Sequence, residues 1–316
     1  MKEDFLLENA SENVSTAVAL GLFDGVHKGH RAVLKAAVDS GFEPWAFTFS
    51  DAQMPDKKRG FLRIGPADIK YGIMESCGIK HCCVVDFENV KDLSGEEFVK
   101  DILVDRLHCK FAVCGDDFRF GKRASCGIRE LEEFGQKYGF KLCVVDKVKE
   151  NGETICSTWM RSAAANGDMA SVEKLSGYPF CLVGIVEYGK QIGRKYGFPT
   201  INIGFEDGYI IPKYGVYVSA TVVGKEIYPS ITNVGIKPTV TNEAKLVSET
   251  HLIDRNIDLY GKKVIVFLIE FMRDEMKFET KELLFDQVRK DCELASEKSG
   301  EWIKRSGEKS LKLLNI

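Results

Sequence analysis

The hydrophobic pattern of this chain changes near residue 178, and this change limits the possible folds more than any other feature. Up to about residue 175, short apolar runs alternate with segments of helical periodicity. Beyond about residue 180, β-branched and aromatic runs are divided only by Gly, Pro, Asn and Asp turn signals. The sequence therefore predicts two domains, residues 1–178 and 179–316.

The first pattern predicts an α/β domain with a Rossmann-like parallel sheet. Near-continuous apolar strands separated by helices are typical of a sheet that is covered on both faces. The expected strands are 16–23, 44–49, 81–87, 110–115 and 140–146, and the expected helices lie near 30–40, 67–77, 95–107 and 127–138. Ligands of such sheets bind outside the carboxyl ends of the strands.

The second pattern predicts an antiparallel sheet closed into a small barrel. A helix is expected from about Glu279, because apolar residues recur there at helical spacing. Its predicted buried face consists of Leu284, Val288, Cys292 and Ala295.

Charge and cysteine usage exclude several classes of protein. The formal net charge of -3 argues against a protein whose main partner is a nucleic-acid backbone. The 10 cysteines include no CxxC pair, so neither a zinc ribbon nor a dithiol redox site is indicated. The apolar run at 264–271 is too short to span a bilayer, and the first residues lack the apolar core of a signal peptide. We expect a reduced, cytoplasmic protein that does not engage membranes, and the sequence gives no indication of oligomeric state.

The stretch "GLFDGVHKGH" (21–30) places His27 and His30 three residues apart, at the point where a predicted strand turns into a helix. A helix N-terminus presents free N–H groups and the positive end of the helix dipole, which suits a phosphate. Two imidazoles on that turn could stabilise charge on a phosphate during its transfer. Taken alone, the spacing leaves open a phosphate role, a metal site, or two solvent-facing histidines.

Two further stretches have the same double interpretation. In "ICSTWMRSA" (155–163), Ser157 is expected to cap a helix, with Thr158 at its first position and Arg161 one turn along. Such a set could hold a triphosphate, although an ordinary capped helix would have the same sequence. In "GDDFRFGKR" (115–123), Asp116 follows a predicted strand, at the edge where ligands bind, or simply begins a turn.

In the second half, "GRKYGFPTINI" (193–203) combines a glycine loop with a strand entry. Glycines beside basic residues can cradle phosphates, and Thr200 and Asn202 project from one strand face with oxygen atoms that suit Mg²⁺. The alternation in "SETHLID" (248–254) places Glu249 and His251 on one face, where a carboxylate could accept a hydroxyl proton. A glycine turn and a solvated strand are the alternative interpretations.

Taken together, the motifs of the N-terminal half, "GLFDGVHKGH", "GDDFRFGKR" and "CSTWMR", resemble the FAD synthetase module of bacterial bifunctional riboflavin kinase/FAD synthetases. The resemblance implies that His27 and His30 act on the phosphates of ATP, with Ser157, Thr158 and Arg161 closing over them. It further implies a nucleotide pocket shaped by Gly21, Phe23, Asp24 and Gly29, with the segment around Asp116 near the flavin or the nucleotide.

The C-terminal half resembles the riboflavin kinase module of the same family, through "GRKYGFPTIN", "YPSITNVGIKPTV" and "ETHLID". The resemblance implies that Thr200 and Asn202 contact Mg²⁺ and ATP, and that Glu249 is the base toward the ribityl hydroxyl. The expected phosphate loop consists of Gly193, Arg194, Lys195, Gly197 and Pro199.

The two modules imply an enzyme that phosphorylates riboflavin to FMN and then transfers AMP from ATP to FMN, with riboflavin, FMN and ATP as small-molecule partners. The family carries a Pro-His-Pro-like segment after its second strand, where this chain has "FTFSDAQMPDKKRG" (47–60). Two alternatives therefore stand beside the bifunctional enzyme. One is a riboflavin kinase with a weak or inactive adenylyltransferase half, and the other is a non-catalytic flavin- or nucleotide-binding regulator.

Overall fold

The computed structural model describes residues 5–50, 62–188, 193–205, 208–238, 244–255 and 257–316. Residues 51–60 of the atypical segment lie outside this part of the chain. The chain divides into two compact units. The first holds residues up to Leu62, Ala67–Ser157 and Leu313–Asn315, and the second holds Arg63–Pro66, Thr158–Lys312 and Ile316. The sequence-based boundary at 178/179 stays a prediction.

The first unit contains a parallel sheet, as predicted. Its strands are β1 (Thr16–Leu20), β2 (Glu43–Phe49), β3 (His81–Val85), β4 (Cys109–Gly115) and β5 (Lys141–Val145), in the order β3-β2-β1-β4-β5. Every neighbouring pair is parallel. All residues of the central strand β1 are buried, which explains its uninterrupted apolar sequence.

Helices connect these strands. They are α1 (Lys28–Val38), α2 (Ala67–Ser76), α3 (Phe87–Val90), α4 (Gly95–Glu97) and α5 (Ile128–Tyr138). The helix predicted near 95–107 is a single α-helical turn that continues as a π-helical segment, Phe98–Arg106. Its apolar residues pack into the core as expected, but the wider hydrogen-bond spacing is a feature that apolar periodicity does not reveal.

A short hairpin follows β5, formed by β6 (Lys149–Glu150) and β7 (Glu153–Thr154). Asn151 and Gly152 form its turn with φ of 51° and 88°, the left-handed conformation that this residue pair favours in hairpins. Helix α6 (Ser157–Ala165) begins directly after it, and α7 (Met169–Ser176) follows in the second unit.

The second unit is an antiparallel barrel. Its strands are β8 (Phe180–Ile185), β9 (Thr200–Gly204), β10 (Gly215–Val223), β11 (Glu226–Pro238), β12 (Ala244–Leu252) and β13 (Lys263–Arg273), in the order β8-β13-β10-β11-β12-β9. The backbone N–H of Glu187, just beyond β8, donates to the carbonyl of Asn202 at 2.9 Å, and this bridge joins the two edge strands. The predicted antiparallel sheet is confirmed and forms a half-barrel, in which an isolated bridge, and no ladder among the described residues, links the two edges.

Serine and threonine hydroxyls fix the register of the middle strands. Hydroxyl–hydroxyl hydrogen bonds of 2.8–2.9 Å link Ser219, Thr221, Ser230, Thr232 and Thr250, all of them fully buried. A slip of one residue would turn every side chain to the opposite face and leave these hydroxyls without partners. The network therefore also fixes which residues face the opposite side of β11 and β12.

Helix α8 (Lys281–Trp302) covers β10 and β11 and continues through a π-helical segment, Ile303–Gly307, into α9 (Glu308–Leu314). Val288, Cys292 and Ala295 pack against the barrel as predicted. The prediction for Leu284 is wrong, because this side chain is 36% exposed. At this level of the helix Phe285 packs instead, stacking on Tyr196 and Phe198 with ring centroids 4.1 and 5.9 Å apart.

Within the described residues, no helix has both the length and the apolar character needed to cross a membrane.

Candidate active sites

The turn after β1 has a strained backbone. Phe23, Gly25 and Val26 take φ of 53°, 71° and 27°, and both Phe23 and Val26 are buried. Positive φ is uncommon for non-glycine residues and concentrates at functional sites, where the surrounding structure enforces it. This turn places His27 at the N-cap position of helix α1.

His27 caps helix α1 with its imidazole. Its Nδ1 accepts the backbone N–H of His30 at 3.2 Å, so in the neutral ring the proton resides on Nε2. The rings of His27 and His30 stack with centroids 3.7 Å apart and planes 15° apart, and Phe23 meets His30 edge-on. The cap and the stack together hold both imidazoles beside the N-terminus of the helix.

Gly29 makes room for this arrangement. A Cβ at position 29 would lie 3.1 Å from the His27 ring and 3.7 Å from the carbonyl oxygen of Ile155. The glycine between the two histidines thus lets the imidazole of His27 lie against the backbone of α1.

All three N-terminal motifs line one cleft of about 1210 Å³ at the carboxyl ends of the strands. Gly21, Phe23, His27, Gly29, His30, Asp116 and Ser157 are among its lining residues. The convergence follows from topology, because β1 and β4 are adjacent and parallel and their carboxyl ends lie at the same edge.

Ser157 and Asp24 join the two ends of this site. The Ser157 hydroxyl donates to the carbonyl oxygen of Asp24 at 3.0 Å. Helix α6 begins at Ser157, so this residue is the first of the helix and not its cap, a correction of one position to the predicted helix start. Asp24 is buried and contributes its backbone here. Thr158 and Arg161 follow on α6, and their roles toward ATP stay a prediction.

The sequence did not indicate the aromatic wall of the cleft. Phe47, Phe49, Phe87, Phe98, Phe118 and Phe120 line it and contact one another, with ring centroids of successive pairs 5.3–5.8 Å apart. In the sequence these residues resemble ordinary core positions, since they come from separate strands and loops. Lys91, Arg119, Arg123 and Lys147 also line the cleft, and Lys147 lies 3.6 Å from Asp116.

The candidate kinase site begins at the loop before β9. Gly197 takes a φ of 86°, and a Cβ at Gly193 would overlap the carbonyl oxygen of Phe198. The backbone N–H of Phe198 donates to the carbonyl of Gly193 at 2.9 Å, which closes the loop. The side chains of Arg194 and Lys195 lie outside the described part of the structure, and their roles stay a prediction.

The register of two strands, β9 and β12, aligns the expected kinase residues. Asn202 on β9 is directly opposite Glu249 on β12, and Thr200 is opposite His251. Directly opposed residues project from the same face of a sheet, so these four side chains form two adjacent polar pairs. His251 also bonds the carbonyl oxygen of Pro199 at 2.8 Å, which fixes the end of the glycine loop. The oxygen atoms of Thr200, Asn202 and Glu249 thus lie on one face at the mouth of that loop.

The cysteines are not suited to the chemistry of these sites. All 10 are free thiols. Burial raises the pKa of Cys83 to about 11 and the pKa values of Cys82, Cys109 and Cys114 to about 12. Thiols held neutral in this way are poor nucleophiles and poor metal ligands.

Comparison with known proteins was made for both halves of the chain. Models of the FAD synthetase and riboflavin kinase families match residues 9–159 and 176–299. The bifunctional riboflavin kinase/FMN adenylyltransferase of Escherichia coli K12 is 33% identical over 288 residues, covering 87% of this chain and 90% of that protein. The chain belongs to this bifunctional family. The Bacillus subtilis 168 member is 32% identical over 292 residues, covering 89% and 91% of the two chains.

A solved structure has the same fold over almost the whole length. The crystal structure of a Streptococcus pneumoniae protein, described as a macrolide-efflux protein, matches with a TM-score of 0.81 and 26% identity. The match covers 92% of this chain and 98% of that one.

Proposed function

We propose that this family member makes FMN and then FAD. The barrel half transfers the γ-phosphoryl group of ATP to riboflavin, and the parallel-sheet half transfers AMP from ATP to FMN with release of pyrophosphate. The observation that carries this proposal is the presence of both family regions in one chain. It is supported by the cleft that His27, His30 and Ser157 line, and by the opposed pair of Asn202 and Glu249 in the second unit.

In the adenylyl transfer, a phosphate oxygen of FMN attacks the α-phosphorus of ATP, and the bond to the pyrophosphate oxygen breaks. The positive end of α1, the Nε2–H donor of His27 and the imidazole of His30 would stabilise the charge that develops on the phosphate oxygens. Because Nδ1 of His27 is occupied by its cap, Nε2 is the atom that this ring offers to ATP. Ser157, Thr158 and Arg161 would hold the remaining phosphate oxygens.

The aromatic wall is the part of the same cleft that suits a flavin ring. Offset and edge-on aromatic contacts favour a large planar ring system, and the nearby Lys91, Arg119 and Arg123 suit the phosphate of FMN. Asp116 lines the same cleft, close to Lys147.

In the kinase reaction, Glu249 would accept the proton of the terminal ribityl hydroxyl as its oxygen attacks the γ-phosphorus and the bond to ADP breaks. The glycine loop at 193–197 would hold the phosphates. The oxygen donors of Thr200 and Asn202 fit a hard cation such as Mg²⁺, which would supply charge neutralisation at the phosphates.

The deciding experiment is analysis of the products that the purified protein forms from riboflavin, ATP and Mg²⁺, with FMN and FAD resolved. We expect FMN to appear first and FAD to follow, with release of pyrophosphate. FMN without FAD would leave only the kinase alternative. Formation of neither product would favour the non-catalytic regulator, which would then bind flavin without turning it over.

A further inference from the structure

Asn233 on β11 extends the polar row of the kinase site by one strand. It is directly opposite Glu249, which is itself directly opposite Asn202 on the other side. The three side chains therefore share one face across β9, β12 and β11. Opposed side chains of this kind have Cβ atoms about 4.5–5.5 Å apart. Asn233 thus lies within reach of the same bound molecule as Glu249.

The orientation of the Asn233 amide is determined by chemistry. Its Nδ2 donates to Oε1 of Glu275 at 3.1 Å. A carboxylate only accepts hydrogen bonds, so the amide cannot be reversed without losing this contact. Its Oδ1 therefore points away from Glu275. This oxygen is buried and has no hydrogen-bond partner among the described residues.

Glu275 lies two residues beyond the end of β13, and an ion pair ties this strand end to α8. Arg273, the last residue of β13, donates through Nε and Nη2 to Oδ2 of the buried Asp291 on α8, at 3.0 and 2.7 Å. Gln287 donates to the other carboxylate oxygen at 2.8 Å. Gly235 leaves the space that Glu275 fills, since a Cβ at that position would overlap its Oε1. The ion pair thus fixes the end of β13 two residues before Glu275, and the space at Gly235 accommodates the Glu275 carboxylate beside Asn233.

A buried carbonyl oxygen without a partner in the protein calls for a partner from outside it, which is either a hydrogen-bond donor or a cation. The phosphates of ATP offer only acceptor oxygens near neutral pH, whereas the ribityl chain of riboflavin carries several hydroxyl donors in series. Neighbouring hydroxyls of one chain could then meet Glu249 and Asn233 at the same time. Because Asn233 lies directly opposite Glu249, the proposed base toward the ribityl chain, a ribityl hydroxyl is the donor best placed to meet its Oδ1.

We propose that Oδ1 of Asn233 accepts a hydrogen bond from a non-reacting ribityl hydroxyl of riboflavin, and that Glu275 is the positioning residue that aims this oxygen. The inference rests on the proposed kinase function and on Glu249 as its base. It assigns Asn233 to recognition of the substrate polyol. Loss of this contact should weaken riboflavin binding and leave ATP binding unchanged.

The test compares riboflavin with analogues that each lack one non-terminal ribityl hydroxyl. Phosphorylation rates are measured for the full-length wild type and for Asn233→Ala, Glu275→Gln and the control Glu226→Gln, which changes an exposed carboxylate at the other end of β11. In the wild type, we expect one analogue to lose about tenfold in kcat/KM, the effect of one missing hydrogen bond. Asn233→Ala should raise the KM for riboflavin by about tenfold and abolish that discrimination.

Glu275→Gln should reduce the discrimination partly, because a glutamine can pair with either end of the amide and lets it reverse. Glu226→Gln should behave as the wild type, and an unchanged KM for ATP in all variants shows that the kinase site is intact. The inference is wrong if Asn233→Ala keeps the full discrimination among analogues, or if it raises the KM for ATP and not for riboflavin. A wild type that does not phosphorylate riboflavin would instead overturn the proposed function.

Discussion

The two candidate sites are assembled by opposite means. The cleft of the first unit gathers its residues from loops far apart in sequence, which meet because parallel strands end at one edge. The polar row of the second unit consists of residues directly opposed on neighbouring antiparallel strands. The first arrangement depends on the backbone conformation of a turn, and the second depends on strand register.

This difference predicts where each site is vulnerable. The turn at 23–26 holds non-glycine residues at positive φ, so small displacements there move both histidines. The buried hydroxyl network on the opposite face of the sheet fixes the polar row of the second unit. This row should therefore tolerate substitutions in the barrel loops more easily than substitutions in the barrel strands. The predictions below test this contrast.

The largest expected effect is a reciprocal loss of activity between the two units. His27→Ala should lower FAD formation from FMN by about 100-fold, the effect of removing one preorganised donor, and leave FMN formation from riboflavin unchanged. Glu249→Gln should lower FMN formation by about 100-fold, as expected for loss of a general base, and leave FAD formation from added FMN unchanged. The two half-reactions are measured separately, each with its own flavin substrate.

The pair of variants also serves as its own control, since each protein carries one intact activity that reports on its folding. If either substitution lowered both activities to the same extent, the assignment of one site to each unit would be wrong.

A smaller loss of activity is expected from two glycine substitutions, which displace the His27 ring or the glycine loop before β9 without removing any site residue. At Gly29, a Cβ would press on the His27 ring at 3.1 Å, so Gly29→Ala should lower FAD formation by about tenfold, since displacements of a fraction of an ångström already cost rate. Alanine also favours a helix over glycine by about 1 kcal/mol, so the variant should not be less stable. Gly193→Ala should raise the KM of the kinase reaction for ATP, because the new Cβ overlaps the Phe198 carbonyl and opens the loop.

Kinetics of both half-reactions and thermal unfolding are measured on each variant. Equal activity of Gly29→Ala and the wild type would show that the position of the His27 ring does not limit adenylyl transfer.

The sequence predicted the two architectures and the polar motifs because these depend on local patterns. Uninterrupted apolar runs gave β1 and its neighbours, and the spacing of Thr200 and Asn202 placed them on one face. Residues two apart in a strand share a face in any antiparallel sheet, so this inference needed no knowledge of the partner strand.

Features that depend on distant partners were not predictable. The amide of Asn233 and the carboxylate of Glu275 meet only through strand pairing and the ion pair at Arg273, and their separation of 42 residues gives no signal. The aromatic wall was missed for the same reason, since an aromatic residue at a strand end looks alike whether it packs in the core or lines a cleft. Leu284 was misassigned because apolar spacing does not show how the helix is rotated about its axis, and the adjacent Phe285 packs at this level instead.

The smallest expected effect concerns the polar groups that the two sheets bury, thiols in the first unit and mainly hydroxyls inside the barrel. Burial raises the pKa of the Cys109 thiol from 9.0 to about 12. The folded state therefore holds this thiol neutral while the thiol of the unfolded chain ionises. Its contribution to the free energy of unfolding is fully present below pH 9 and is lost as the pH rises from 9 toward 12.

Between pH 8 and pH 10, the free energy of unfolding should fall by about 1 kcal/mol less in Cys109→Ala than in the wild type. Val113→Ala, a buried position on the same strand that does not titrate, should lower stability equally at both pH values. Denaturant titrations at the two pH values measure the difference, and identical pH dependence in Cys109→Ala and the wild type would show that this thiol does not couple folding to alkaline pH.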